Sequence, residues 1–168
     1  MKIEIYPLER VLIDGVSIEL GMEQSAAEAA IGKGERIGNR HYYYGGEMAV
    51  DYTDGKIDFI EFLAGADGEL RPTVYGVSVF DSHADALFAI LKERNGGPIG
   101  DTEGGHAYQF RNIGIGIYRE AVPEEIREMI REAEIFGNPM SDGEIQYEMR
   151  RAERWATFGI GTTGYYLR

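Results

Sequence analysis

A four-residue pattern occurs twice in this chain. Gly15-Val16-Ser17-Ile18 returns as Gly76-Val77-Ser78-Val79, 61 residues further on, and each copy leads into a short helical segment. His41-Tyr42-Tyr43 is echoed by His106-Ala107-Tyr108. The strand-like runs Ala49-Val50-Asp51-Tyr52 and Ile115-Gly116-Ile117-Tyr118 follow. A duplicated helix-plus-sheet unit builds a surface, often a concave one. A chain of 168 residues holds two such units as a single domain. The first repeat is placed at 11–63 and the second at 74–167.

Punctuation divides the repeats into elements. Ile3 to Tyr6 and Val11 to Ile18 read as extended, with Pro7 and Asp14-Gly15 as breaks. The Ala-rich stretch Met22 to Ile31 reads as a helix stopped by Gly32. Ile37 to Tyr44, Glu47 to Thr53 and Lys56 to Leu63 read as strands, the last two joined by Asp54-Gly55, a strong hairpin signal. In the second copy Val74 to Phe80 reads as a strand. Ser82 is the expected N-cap of a helix with Leu87, Ile90 and Leu91 on its apolar face. Ala107 to Asn112 and Ile113 to Tyr118 are strands. A helical insertion at 122–153 then interrupts the copy. Pro123 opens its first helix, Gly137-Asn138-Pro139 ends it, and Ile145, Met149 and Ala152 line the second. Trp155 to Gly161 and Tyr165 to Leu167 read as closing strands. The expected fold class is α+β, a duplicated helix-plus-antiparallel-sheet unit with helices on one face of the sheet.

Composition removes several functions. There is no cysteine, so disulfides and thiolate chemistry are excluded. The net charge of −12 repels a phosphate backbone, which argues against nucleic acid as partner. The same charge attracts a basic protein and speeds its association. Residues 1–118 carry 10 Lys/Arg and 19 Asp/Glu, a balance of −9, and residues 119–168 carry 7 and 10, a balance of −3. The acidity is therefore concentrated in the repeated part. No run approaches the apolar length of a membrane span, and Met1 to Pro7 reads as a strand rather than a signal-peptide core. The expectation is a cytoplasmic protein with no membrane partner.

The hairpin at Asp54-Gly55 allows a register to be counted. With Thr53 opposite Lys56, Asp51 falls opposite Asp58. One face then carries Glu47, Ala49, Asp51, Thr53, Lys56, Asp58, Ile60 and Phe62. The other, the expected core face, carries Met48, Val50, Tyr52, Ile57, Phe59 and Leu63. Two carboxylates facing each other destabilise a sheet unless they bind a cation, share a proton or meet a basic group of a partner. Solvation beside Lys56 is the plain alternative. Tyr42 and Tyr44 share a face if Tyr42-Tyr43-Tyr44 is a strand. Tyrosine suits interfaces because it joins a rigid apolar ring to a hydrogen-bonding tip.

No motif calls for a cofactor or a metal. His41, His83 and His106 lack the spacing of a ligand set. The Gly-rich segments Gly32-x-Gly34, Gly114-x-Gly116 and Gly159-x-Gly161 do not open a helix after a strand as a phosphate-binding loop does. In strands they mark bulges or close backbone approach.

The order of elements over residues 11–118 and 155–167 resembles the beta-lactamase-inhibitor-like fold, in which tandem repeats form a concave sheet that binds another protein. The tail Trp155-Ala156-Thr157-Phe158-Gly159-Ile160-Gly161 and Gly164-Tyr165-Tyr166, in a small acidic chain without cysteine, looks like the bacterial immunity proteins that neutralise polymorphic toxins. These resemblances imply a protein-binding module that occludes a basic toxin or enzyme. The residues expected to meet the partner are Tyr42, Tyr44, Glu47, Asp51 and Asp58. Two other readings stay open. One is a small-molecule binder or enzyme with a pocket between the repeats holding His41 and His106. The other is a homo-oligomer joined through Val122 to Phe136.

Overall fold

In the computed structural model, which describes residues 1–168, the repeated Gly15 and Gly76 each close a two-residue hairpin turn. Asp14 and Gly15 have φ of 46° and 83°, and Tyr75 and Gly76 have 49° and 79°. Both residues of such a turn need positive φ, which glycine adopts without steric cost. The first turn joins β2 (Arg10–Ile13) to β3 (Val16–Glu19), and the second joins β8 (Pro72–Val74) to β9 (Val77–Ser78). β1 (Ile3–Tyr6) lies between the hairpins, antiparallel to β2 and parallel to β8, in a small sheet of order β3-β2-β1-β8-β9. The sequence gives no sign of this second sheet or of its parallel pair. Both follow from β1 serving the two repeats at once.

After each hairpin the chain forms a helix and then four strands. The first repeat continues with α1 (Gln24–Ile31), β4 (Glu35–Ile37), β5 (Arg40–Tyr43), β6 (Met48–Thr53) and β7 (Lys56–Phe62). The second continues with α2 (Ala84–Asn95), β10 (Ile99–Asp101), β11 (Ala107–Phe110), β12 (Ile115–Tyr118) and, after an insertion, β13 (Thr157–Gly161). α2 is capped by His83, whose Nδ1 accepts the Asp85 N–H at 3.2 Å, and not by Ser82. The insertion is a pair of packed helices, α3 (Pro123–Ile135) and α4 (Asp142–Glu153), with its own small core of Ala121, Ile126 and Ala152. The fold is α+β, as the repeats predict.

The two four-stranded halves join edge to edge in one long sheet of order β10-β11-β12-β13-β7-β6-β5-β4. The order is palindromic, so a local two-fold relates the halves. The registers Met48↔Phe62 and Ile115↔Ile160 make Phe62 and Ile160 equivalent. The axis therefore passes through the Glu61↔Gly159 pair at the seam. Tyr43↔Met48 and Phe110↔Ile115 likewise make Tyr43 equivalent to Phe110. His41 then corresponds to Tyr108, and the His-x-Tyr echo, although visible in the sequence, is out of step by two residues.

One face of the long sheet is the core face. Met48, Val50, Ile57, Ile60, Phe62, Phe110, Ile115, Ile117, Phe158 and Ile160 pack there against Ala27 of α1, Leu87 and Leu91 of α2, and the apolar side of the small sheet. Trp155 is buried among them and donates its Nε1–H to the Ala84 carbonyl at 3.0 Å.

The opposite, outer face has a lane of glycine at its centre. Gly100, Gly116 and Gly159 lie in one cross-strand row with Gln109 and Glu61, and Gly161 lies one pleat away. Aromatic rings fill this lane. A methyl group at Gly159 would overlap the Phe59 ring, one at Gly116 the Tyr166 hydroxyl, and one at Gly161 the Tyr165 ring. Tyr165 to Leu167 is accordingly not a strand. It is a 3-10 turn that folds back over the outer face.

Gly159→Ala is expected to cost about 1–3 kcal/mol by overpacking, a fall of several degrees in Tm. Gly143→Ala, in the first turn of α4 with open space around the added methyl, leaves Tm unchanged or slightly higher. Calorimetry on both variants checks the difference; equal melting points would show that the lane is not tightly packed.

Candidate functional site

The Asp54-Gly55 hairpin forms as expected, with Thr53 opposite Lys56 and Tyr52 opposite Ile57. The count then fails by one. A bulge leaves Asp58 unpaired and sets Asp51 opposite Phe59, so the expected Asp51–Asp58 pair does not exist. Beyond the bulge every side chain of β7 changes face. Ile60 and Phe62 enter the core, whereas Phe59 and Glu61 point outward. The reason is chemical. Counting without a bulge places Ile60 and Phe62 outside and Glu61 in the core, and one extra residue exchanges them.

The bulged Asp58 is 8% exposed, and its carboxylate is fully engaged. Arg168 donates Nη1–H to Oδ2 at 2.6 Å and Nη2–H to Oδ1 at 2.8 Å. The Thr162 and Thr53 hydroxyls donate to it at 2.8 and 3.0 Å. The Arg168 hydrogen bond holds the Asp58 carboxyl below the usual carboxylate range, and the two threonines act in the same direction against the effect of burial. Asp58 is thus the anchor of the C-terminal turn. That turn stacks Tyr165 on Phe59 with ring centroids 4.7 Å apart and sets Tyr166 edge-on to both. Burial raises the hydroxyl pKa of Tyr165 and Tyr166.

Next to this stack three strands present one linked cluster. Arg40 on β5 donates Nε–H to Asp51 on β6 at 2.9 Å and Nη2–H to Glu61 on β7 at 2.7 Å. All three side chains keep a fifth to a third of their surface in solvent. Tyr42 shares the row of Glu35, Ala49 and Glu61, with the Arg40 guanidinium 6.0 Å from its ring centroid. The equivalent positions in the second half hold Ala107 for Arg40, Gln109 for Tyr42, Tyr118 for Asp51 and Gly159 for Glu61. The charge therefore lies on one half of the two-fold sheet.

The remaining expected residues lie elsewhere. Tyr44 is not in a strand. It has φ of 55° and opens the turn Tyr44–Gly46, where it packs against the core. Tyr42 and Tyr44 consequently do not share an exposed face. Glu47 lies just before β6 and caps a loop, accepting the backbone N–H of Glu69 at 2.9 Å and of Leu70 at 2.8 Å. Of the five residues, the structure brings Tyr42, Asp51 and Asp58 to the outer face, and only the first two offer free surface. Arg40, Glu61, Phe59 and the Tyr165–Arg168 turn were missed. Alternate glycines at 159 and 161, the first of them facing Gly116, are the signal that large side chains must cover that strand.

The histidines do not meet. His41 packs edge-to-face on Tyr52 at 5.0 Å and borders a cleft of about 250 Å³ with Gln24, Arg36, Asn39 and Gly55. His106 precedes β11, five strand spacings away or roughly 24 Å. No pocket between the repeats holds both, because the repeats meet as sheet edges. His106 instead secures the insertion. Its Nε2 lies 2.7 Å from Glu125 Oε1 and its Nδ1 3.2 Å from the Arg119 carbonyl. Arg119 is buried, donates to the carbonyls of Gly105 and Ala152, and lies over Trp155.

Comparison of the chain with family models, with curated proteins and with solved structures gives no match. No helix is long and apolar enough to cross a membrane.

Asp58→Asn is expected to lower stability by about 1–2 kcal/mol, roughly 3–6 °C in Tm, because it removes a charge-assisted bidentate pair. It should also quicken proteolysis of the last residues. Resistance equal to the parent chain would show that the turn is held by its tyrosines alone.

The His106–Glu125 tie gives a pH signature. The Glu125 hydrogen bond raises His106 above its ordinary 6.5, and the His106 hydrogen bond lowers Glu125 below its ordinary 4.5. The histidine contribution is complete below 6.5 and is lost as pH rises through the raised value. The glutamate contribution is present above 4.5 and is lost as pH falls through the lowered value. The base of α3 is therefore tied most firmly between these limits and loosens as pH rises through the raised His106 value. Amide exchange of the first turn of α3, corrected for intrinsic rates, reads this out, and His106→Ala should flatten the profile.

Proposed function

We propose that the chain is a cytoplasmic protein-binding module of the immunity-protein kind, which occludes a basic partner with the first half of the outer sheet face. One observation carries the reading: Arg40 ties Asp51 and Glu61 together by hydrogen bonds and lies 6.0 Å from the Tyr42 ring centroid, so that two acids and an aromatic ring stand side by side on three adjacent strands of the outer face. Side chains held in place before binding lose little entropy when a partner arrives. The trio keeps a net negative charge, since one guanidinium faces two carboxylates. A basic partner would gain from it, and Arg40 keeps the two acids from repelling each other in the free protein. The overall acidity supports the same reading, because it draws a basic protein to the surface before contact.

In this reading the second half of the sheet is the support. Its glycine lane and C-terminal turn brace β7, the strand that carries Glu61. Asp58 serves through Arg168, and Glu47 through the loop it caps.

A small-molecule reading has one observation in its favour, the cleft beside His41, whose lining of Gln24, Arg36, Asn39, His41 and Tyr52 is mostly polar. Its occupant would be a small polar molecule. Thermal shift against a panel of polar metabolites tests it, and a rise in Tm abolished by Arg36→Ala would support it.

For the leading reading, tagged protein is used to isolate partners from source cells at low salt, with elution at high salt. The result expected is one stoichiometric basic protein. Asp51→Lys should then slow its association about tenfold and flatten the salt dependence, and Tyr42→Ala should speed dissociation. A partner whose rates ignore both changes would remove this face from consideration.

A further inference from the structure

Residues 119–156 occupy the place that Asp54-Gly55 fills in the first half. A two-residue turn suffices to connect β6 to β7, yet β12 reaches β13 only after two helices. This insertion is the one large departure from the two-fold. Its far end, where α3 stops and α4 starts, carries the most exposed apolar side chains of the molecule. Ile135 is 71% and Phe136 is 83% exposed. Neither belongs to the small core of the hairpin, which consists of Ala121, Ile126 and Ala152 with Ile130 and Met149 against it.

The backbone beneath them is fixed. The Phe136 N–H donates to the Glu132 carbonyl at 3.0 Å, Gly137 to Glu134 at 3.1 Å and Asn138 to Ala133 at 3.0 Å. α4 begins with a reciprocal cap in which Ser141 N–H donates to Glu144 at 2.8 Å and Glu144 N–H to Ser141 Oγ at 3.2 Å. The apolar pair is thus presented on a defined element rather than on a loose loop. Large apolar side chains raised on a rigid tip and surrounded by charge are the anatomy of an interface anchor.

The surroundings identify the occupant. Glu134 precedes Ile135, Glu132 lies one turn before Phe136 and Asp142 opens α4 across the connection, and none of them forms an ion pair. The nearest cation, Arg131, is bound to Glu128. A second copy of this chain docked tip to tip would place these carboxylates against their own kind. A surface rich in Lys and Arg would pair with them. We propose that the α3–α4 tip is a docking knob that inserts Phe136 and Ile135 into an apolar pocket rimmed by basic residues on a partner protein. The proposal rests on the reading of the chain as a binder of basic proteins, and gives it a second contact apart from the sheet face.

The test places a photo-crosslinking amino acid at position 136 and irradiates the full chain in extract of source cells at low salt. One protein of high isoelectric point should be captured, through an apolar segment flanked by Lys or Arg. The yield should fall in high salt and in the triple variant Glu132→Lys, Glu134→Lys, Asp142→Lys. The same partner, purified, should bind Ile135→Ser/Phe136→Ser at least tenfold more weakly, with the melting temperature of the chain unchanged. Crosslinking to a second copy of the chain, or to an acidic protein, overturns the proposal. So does a basic partner, held by the unmodified chain, that binds the double serine variant with undiminished affinity; the binding reading itself then survives. Absence of any partner on the unmodified chain removes both.

Discussion

The bulge at Asp58 is the constraint on which the rest of the structure depends. One unpaired residue exchanges the faces of β7, so that Ile60 and Phe62 meet the core while Phe59 and Glu61 face outward. Without it, Glu61 would be buried in an apolar layer with no partner, which costs far more than a hydrogen bond returns. With it, Phe59 becomes a platform for Tyr165, and Glu61 comes within reach of Arg40. The unpaired residue is itself used. Its carboxylate takes the C-terminal arginine and its carbonyl accepts the Thr162 N–H at 3.1 Å. The candidate interface and the C-terminal fastening are both products of one register shift.

The two halves of the long sheet share a backbone plan and differ in chemistry. Around the seam the equivalent positions on the core side are apolar in both halves, Phe62 matching Ile160 and Ile60 matching Phe158. The outer side differs. Where the first half places Arg40, Asp51 and Glu61, the second places Ala107, Tyr118 and Gly159. Packing holds the core side to similar residues in both copies. The outer side is under no such demand, so one half could become a cradle for aromatic rings and the other a charged surface.

Local features were legible in the sequence. The Asp14-Gly15 break, the Asp54-Gly55 turn, Pro123 at the start of α3 and the stop at Gly137 each follow from short-range sterics or capping. The duplicated architecture and the site of the insertion were legible for the same reason. The second copy of the glycine turn was not: Val74 to Phe80 reads as one strand, whereas Tyr75 and Gly76 take positive φ and split it into β8 and β9. What else escaped depends on residues distant in sequence. The bulge is stabilised from Thr162 and Arg168, the parallel pairing of β1 joins Ile3 to Pro72, and Tyr44 leaves the strand to enter a turn. Tyr42 and Asp51 were placed on the outer face from alternation alone. Glu61 could not be, since alternation without the bulge assigns it to the core.

The seam between β7 and β13 also sets an order of events in time. Phe62 pairs with Phe158, and the insertion lengthens the stretch of chain between them. Pairings this far apart close slowly, because a long loop must be ordered before any contact rewards it. While the polypeptide is being made, β4 to β7 emerge and can assemble well before β13 exists. During that interval β7 is an open sheet edge lined by Ile60 and Phe62, the kind of edge that recruits foreign strands. Asp58 sits at one end of that edge, next to Phe59, and until Arg168 arrives no cation is bound to it. Bulges and charged side chains both blunt such an edge, and Asp58 supplies the two together. The residue that fastens the finished protein therefore also guards the unfinished one.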